Sequence, residues 1–356
     1  MNKVTFTNFR GIDKLSIPLT RAMMLTGPNG VGKTSILEGL YCLFSETRLD
    51  VLPLSRYCRR IGISNPHTGV SVGVSSHYLY NYSLFWDECP KYGNESCSVF
   101  AQFNGHQWDW VYRRAKNLSE LPAELASAAT VNTSGWPIDA LTEFAIWDWS
   151  QGEVQHSRAQ TLSAVLPGFH VFPPENKSQS FCTYIDFATI RAMPSKLTFK
   201  VSKMLTEALQ LINPHVTDIR FEGADSGLSV ILNDEYSTSL DTLGNGAVTL
   251  VNVLIVIFET LETQSRTMPD APFFVLIDEI GAAMHYNVML DVWNYLKLLS
   301  EKHRNLNYVA TSHSNDCVKA FCEVFRDRMV NDEAKLLRLY KEKTEIVVTE
   351  ETSSRA

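Results

Sequence analysis

Three hydrophobic patterns recur along the chain, and each predicts a different element. Met1 to Phe6 alternates apolar and polar positions, as a half-buried strand does. Ala22-Met23-Met24-Leu25-Thr26, Phe273 to Ile280 (FFVLIDEI) and Tyr308 to Ser314 (YVATSHS) are short apolar runs, the last two leading into Asp278-Glu279 and into Thr311 to Ser314. Strands buried on both faces of a parallel sheet read this way. Helical spacing appears in Ile36, Leu37, Leu40, Tyr41 and Phe44, and again in Val201, Met204, Leu205, Ala208 and Ile212, where Asn213-Pro214 ends the helix. The most apolar stretch, Ala247 to Phe258, predicts a buried helix running to Thr263; its core of about twelve residues is too short to span a bilayer. Hairpins are expected from Val216–Glu222 with Leu228–Leu232 and from Leu336–Tyr340 with Glu345–Thr349. The whole predicts an α/β fold.

From about residue 46 to 195 the character changes. Strands are suggested at Val70–Val74, His77–Leu84, Ser98–Phe103 and Trp108–Arg113, and aromatic residues concentrate: Tyr78, Tyr80, Tyr82, Phe85, Trp86, Trp108, Trp110, Trp147 and Trp149. Packing within a sheet is the commoner use of such residues, and stacking on nucleic-acid bases the second. No repeat is visible, and no heptad run is long enough for a coiled coil.

A chain of 356 residues can bury a large core in one elaborate domain or two joined ones. Its net charge of −7 argues against a uniformly basic nucleic-acid coat, and the tight basic groups (Arg56, Arg59 and Arg60; Arg113 and Arg114) read first as solvated surface. Seven cysteines without a C-x-x-C pair suggest neither zinc nor a disulfide framework, and reduced thiols in the cytoplasm are the simplest account. The N-terminal segment lacks the apolar region of a signal peptide, and no membrane association is expected.

The candidate chemistry begins at Gly27, where GPNGVGKT fits G-x-x-x-x-G-K-[ST] between a predicted strand and a predicted helix. Glycines let consecutive backbone N–H groups curl around phosphate oxygens, and the helix N-terminus adds its partial charge. Asn29, Gly30, Gly32, Lys33, Thr34 and Ser35 are therefore candidate nucleotide ligands. The FFVLIDEI run delivers two carboxylates to one strand end, with Asp278 placed to hold Mg²⁺ and Glu279 to polarise an attacking water. His313, ending a neighbouring strand, is a candidate γ-phosphate sensor. Gly244-Asn245-Gly246, just ahead of the apolar helix, offers a second set of amides at a positive helix end. One fold does not easily bring both helix ends to one phosphate, whereas a dimer can.

These motifs, in this order, resemble the head of an ABC-type ATPase of the SMC-like class, and Asn8-Phe9-Arg10-Gly11 is similar to the opening common in that class. The resemblance implies an ABC-type head with an antiparallel N-terminal sheet, a central parallel sheet and a β-rich, partly helical insertion. It implies ATP and Mg²⁺ as cofactors, with Lys33 and Thr34 as the Walker A pair, Thr34 also on the metal, and Asp278 and Glu279 as the Walker B pair. His313 takes the place of the switch histidine, Gly244 to Gly246 of the signature loop, and Gly281 to Tyr286 of the D-loop. Arg10 joins the nucleotide ligands, Gln151 resembles the Q-loop glutamine on Mg²⁺, and His285 resembles a histidine of the OLD-like branch. Two departures stand out. The signature lacks its serine, with only Thr242 nearby, and the aromatic region replaces the long coiled coil.

On this reading residues 1–45 and 197–356 form the head, and 46–196 a lobe for recognising a partner or trigger. No nuclease constellation is visible, and the ATPase subunits of two-gene anti-phage systems such as PARIS and Septu are the resembling type. The resemblance thus implies a homodimer or higher homo-oligomer that senses a phage protein or nucleic acid. It would control a separate effector, expected to be a nuclease. A repair clamp like RecF is the alternative, and a transporter subunit is disfavoured by the missing LSGGQ.

Overall fold

The computed structural model describes residues 2–45, 94–123, 125–126, 144–161, 170–171, 181–186, 198–222, 228–267, 270–281, 284, 286–343 and 345–351. The strands expected at Val70–Val74 and His77–Leu84, and His285, lie outside them. In chain order the elements are β1 (Lys3–Phe9), β2 (Ile12–Pro18), β3 (Ala22–Thr26), α1 (Lys33–Phe44), β4 (Ser96–Phe103), β5 (His106–Ala115), β6 (Phe144–Gln151), β7 (Val154–Thr161), β8 (His170–Val171) and β9 (Cys182–Asp186). There follow α2 (Phe199–Ile212), β10 (Val216–Phe221), β11 (Leu228–Leu232), β12 (Tyr236–Ser239), α3 (Asn245–Thr267), β13 (Phe273–Asp278), α4 (Tyr286–Lys302), β14 (Leu306–Ser312), α5 (Asn315–Val324), α6 (Arg326–Val330), β15 (Ala334–Glu342) and β16 (Glu345–Glu351). None of the described helices is long and apolar enough to cross a membrane.

The chain divides into two compact units, and the division differs from the one expected. The first unit comprises residues 1–19, 35–180 and 341–347, so β1, β2 and most of α1 group with the aromatic strands rather than with residues 197–356. The reason is pairing. β1 lies antiparallel to β2 on one side and to β4 on the other, with Thr5 opposite Phe100, inside a seven-stranded sheet ordered β2-β1-β4-β5-β6-β7-β8. On β4 every second residue is buried, on β5 the alternation runs through Trp108, Trp110 and Tyr112, and these three come to one face with Phe9 and Phe44. The aromatic residues seen there are core, each worth about 1.5–3 kcal/mol on burial, and not a stacking platform. Trp149 packs on α1, which carries Phe44, and donates its indole N–H to the Leu43 carbonyl at 2.7 Å. Gly39 exists for this packing: a Cβ there would lie 2.6 Å from the Phe6 ring.

The second unit comprises residues 20–34, 181–340 and 348–356. Its main sheet is ordered β16-β15-β3-β14-β13-β9, and β15, β3, β14, β13 and β9 are parallel neighbours. β13 and β14 are buried at every residue, which accounts for their unbroken apolar sequence. α2 begins at an N-cap, Thr198, and ends at Asn213 as the Asn-Pro pair predicts. Its side chains close the outer edge of the small β10-β11-β12 sheet, Ser202 donating to the Ile219 carbonyl at 2.6 Å and Gln210 to that of Val216 at 2.8 Å. The third strand of that sheet, β12, is absent from the sequence expectation because exposed YSTS has no apolar period. The α/β class, the antiparallel N-terminal sheet and the parallel sheet are found as expected.

Candidate nucleotide site

The second unit's parallel sheet presents the candidate residues at the C-terminal ends of adjacent strands, where ligands bind in open α/β sheets. β3 leads into the glycine loop, β13 ends at Asp278, and β14 lies between them and runs into His313. Within the loop Gly27, Gly30 and Gly32 have φ of 141°, 73° and 104°, all unfavourable for residues with a Cβ. At Gly27 a Cβ would also overlap the Leu339 carbonyl oxygen of β15. Lys33 is nearly buried and spans the loop, its ammonium donating to the carbonyls of Gly27 at 2.7 Å and Pro28 at 2.9 Å. Burial lowers its pKa from the ordinary lysine value, opposed by the negative charges of Glu279 and Asp278. Asn29 and Gly30 are exposed at the tip, Gly32 and Thr34 are partly buried at the helix entrance, and Ser35 begins the part of α1 that belongs to the first unit.

The acids are held differently from each other. Asp278 is buried, and its carboxylate accepts from the Thr311 hydroxyl at 2.5 Å through Oδ1 and from the Tyr184 hydroxyl at 2.7 Å through Oδ2. Glu279 is not a strand residue as the apolar run suggested. The strand stops at Asp278, and Glu279 takes a φ of 56°, with its N–H donating to Thr311 Oγ1 at 2.8 Å. A non-glycine residue in this region costs about 1–3 kcal/mol and persists only where its surroundings hold it. Here Ile280 N–H donates to the Thr311 carbonyl and Ser312 Oγ to the Ile280 carbonyl, both at 2.9 Å, stapling the turn to β14.

His313 is exposed in the link between β14 and the Ser314 cap of α5. The glycine-led helix starts earlier than expected, at Asn245, so Gly246 is its second residue and not a loop residue. Gly244, with φ 88°, ends a single 3-10 turn (Leu240–Leu243), and its carbonyl accepts from the N–H groups of Ala247 and Val248. The parallel sheet carries neither Arg10 nor Gln151; both belong to the first unit. Arg10 sits between β1 and β2 with φ 51° and pairs with Glu38 at 2.7 Å, and Gln151 is the last residue of β6 in the β6–β7 hairpin.

Thr311 and Tyr184 are absent from the sequence reading. A signal for Thr311 was there: it interrupts an apolar run beside an acid-bearing strand, and a buried carboxylate needs a donor. Nothing in the sequence links Tyr184 to Asp278, since β9 shows no pattern of its own. Among the described residues no three His, Cys, Asp or Glu side chains gather in a metal-binding group. Mg²⁺ needs no such group, since it takes one or two carboxylates together with substrate phosphates; the buried carboxylate of Asp278 and the hydroxyl of Thr34 are of the type that would hold it.

A protein-family description, AAA ATPase domain, matches residues 1–100, which include the glycine loop. No curated protein matches the chain. Among solved structures, the chain is similar to the SMC head domain from Thermotoga maritima at 12% identity, with a TM-score of 0.45 and 98% of each chain covered. It is also similar to the recombination mediator protein RecF of the RecFOR pathway with ATPrS, at 10% identity, TM-score 0.41 and 97% of each chain. The RecF–ATP structure gives 10% identity, TM-score 0.38 and 98% of each chain.

Proposed function

We propose that the chain is an ATP-binding and hydrolysing ATPase of the SMC-like ABC type. The observation that carries this is the placement of a glycine loop with a nearly buried Lys33 at one strand end and Asp278–Glu279 at another, in one parallel sheet with β14 between them. Lys33 and the loop amides hold the phosphates, and Thr34 and Asp278 hold Mg²⁺, which neutralises phosphate charge when bound. Glu279 accepts the proton of the attacking water. Replacing Glu279 with Gln keeps the shape and removes the proton acceptor. Calorimetry should therefore find ATP affinity within about threefold of wild type, with turnover lowered at least about a hundredfold. Wild-type turnover in Glu279→Gln removes the general-base assignment, and unchanged ATP binding in Lys33→Ala removes the phosphate loop.

The further reading is that this ATPase is the sensor or assembly subunit of an anti-phage complex. It controls a separate effector, expected to be a nuclease, through ATP-dependent formation of a homodimer or higher oligomer. Support comes from the motif order and from the aromatic antiparallel region standing where a coiled coil would be. Phage challenge of cells carrying the gene with its neighbours should show protection that Lys33→Ala and Glu279→Gln both abolish. No protection, together with ATP turnover stimulated by DNA, would replace this reading with that of a repair clamp.

A further inference from the structure

We infer that Thr311 is a positioning residue for ATP hydrolysis, its single hydroxyl holding the metal-binding carboxylate of Asp278 and the backbone of Glu279 as one unit. The inference rests on the ATPase reading of the site. β13 and β14 run parallel with Ile277 opposite Ala310, so the next step along both strands brings Asp278 and Thr311 side by side. A hydroxyl has one proton to donate and lone pairs to accept with. Thr311 gives its proton to Asp278 Oδ1 and accepts the N–H of Glu279 at 2.8 Å, so the direction of both bonds is fixed.

The surroundings leave Thr311 little freedom. It is fully buried as the second-last residue of β14, a strand without an exposed residue, and a β-branched side chain has few rotamers to choose from. Glu279, by contrast, has left the strand: at φ 56° its N–H makes no strand hydrogen bond and goes instead to the Thr311 hydroxyl. Removing the hydroxyl would leave that donor without the acceptor it uses and would release the φ that sets how the Glu279 side chain leaves the chain. Tyr184 serves as the internal comparison, because its hydroxyl donates to Asp278 through Oδ2, the carboxylate oxygen that Thr311 does not meet. Thr311 thus takes part in no proton transfer. It aligns the residue that does.

The test compares the full-length chain carrying Thr311→Ser, Thr311→Ala, Thr311→Val or Tyr184→Phe, each measured for ATP affinity with Mg²⁺ and for kcat and KM. Orienting groups behind a metal or catalytic ligand commonly change activity about 10–100-fold. Thr311→Ser should keep kcat within about threefold of wild type, and Thr311→Ala should lower it at least about tenfold with ATP affinity little changed. Thr311→Val should follow Thr311→Ala. Tyr184→Phe should raise the Mg²⁺ concentration needed for half-maximal rate more than it lowers kcat at saturating Mg²⁺. Serine and alanine differ by one oxygen on the same Cβ, so a Ser/Ala ratio of kcat near one overturns the inference even if the valine variant does not fold. A loss confined to ATP affinity also overturns it. If the wild-type chain neither binds nor hydrolyses ATP, the ATPase reading falls and the inference with it; normal binding and turnover with a ratio near one removes the inference alone.

Discussion

Lys33 illustrates the tension built into a buried cation. Its ammonium is taken out of water and held by two carbonyls, and burial lowers its pKa from 10.5 in spite of Asp278 and Glu279. A cation whose folded pKa is lowered opposes folding while it is charged in both states. That opposition is complete below the folded pKa and is relieved as pH rises from the folded pKa to 10.5, where the unfolded state still binds the proton. In urea unfolding the wild type should therefore gain stability relative to Lys33→Met across that alkaline window, and the same substitution should abolish ATP binding. A difference between the two proteins that stays flat to pH 10.5, or widens in favour of Lys33→Met, would contradict the burial account. Lys33, Asp278 and Glu279 were legible in the sequence because glycine spacing and a strand-terminal acid pair are local patterns. The positive φ of Glu279 and the hydroxyls of Thr311 and Tyr184 were not, because they arise only when separate strands are set side by side.

At the scale of elements, α1 has two tasks. Its N-terminus closes the phosphate loop, and its body carries Ile36, Leu37, Leu40 and Phe44, all fully buried. Gly39, in mid-helix, would ordinarily cost about 1 kcal/mol relative to Ala, yet it admits the rings of Phe6 and Phe9. Gly39→Val overfills that space and should destabilise the protein by about 1–3 kcal/mol, read from the urea midpoint at unchanged slope. No loss would mean that β1 shifts freely. The periodicity of α1, α2 and the buried strands was readable because each is amphipathic or apolar within a single window. The pairing of β1 with β4 was not, since the partners lie about ninety residues apart and alternation says which face is buried without saying which strand lies alongside. For that reason the sequence alone does not show that the first two strands group with the aromatic ones.

At the scale of the whole molecule, the remaining question is what meets the γ-phosphate from the other side. The N-terminus of α3 is led by Gly244, Asn245 and Gly246, and a helix end acts most strongly on an anion held away from water. If this end belongs to a second copy's site, Gly246→Arg should keep ATP binding at its own phosphate loop and stop turnover. The backbone tolerates the change, because a Cβ at Gly246 would meet Val288 and Met284 at 3.8 and 3.9 Å, ordinary van der Waals contact. Mixed with Lys33→Ala protein, it would then form dimers in which one shared site carries both lesions and the other carries none. Some ATPase activity should return on mixing. Absence of any recovery after confirmed subunit exchange, or full activity in a strictly monomeric wild type, would decide against shared sites.

The two crowded glycines differ in a way that genetics can read. At Gly39 the atoms in the way belong to side chains, Phe6 and Phe9, so a second substitution can make room: Phe6→Leu should restore much of the stability that Gly39→Val loses. At Gly27 the obstacle is the carbonyl of Leu339, part of the main chain of β15, which every residue type at position 339 would supply equally. A selection for suppressors of Gly27→Ala should return only true revertants or changes that displace β15 as a whole, and never a substitution of Leu339 itself. Gly39→Val should instead yield compensating changes at its aromatic neighbours. The phosphate loop is thereby closed to gradual repair by exchange of neighbouring side chains, while the packing behind it stays open to it.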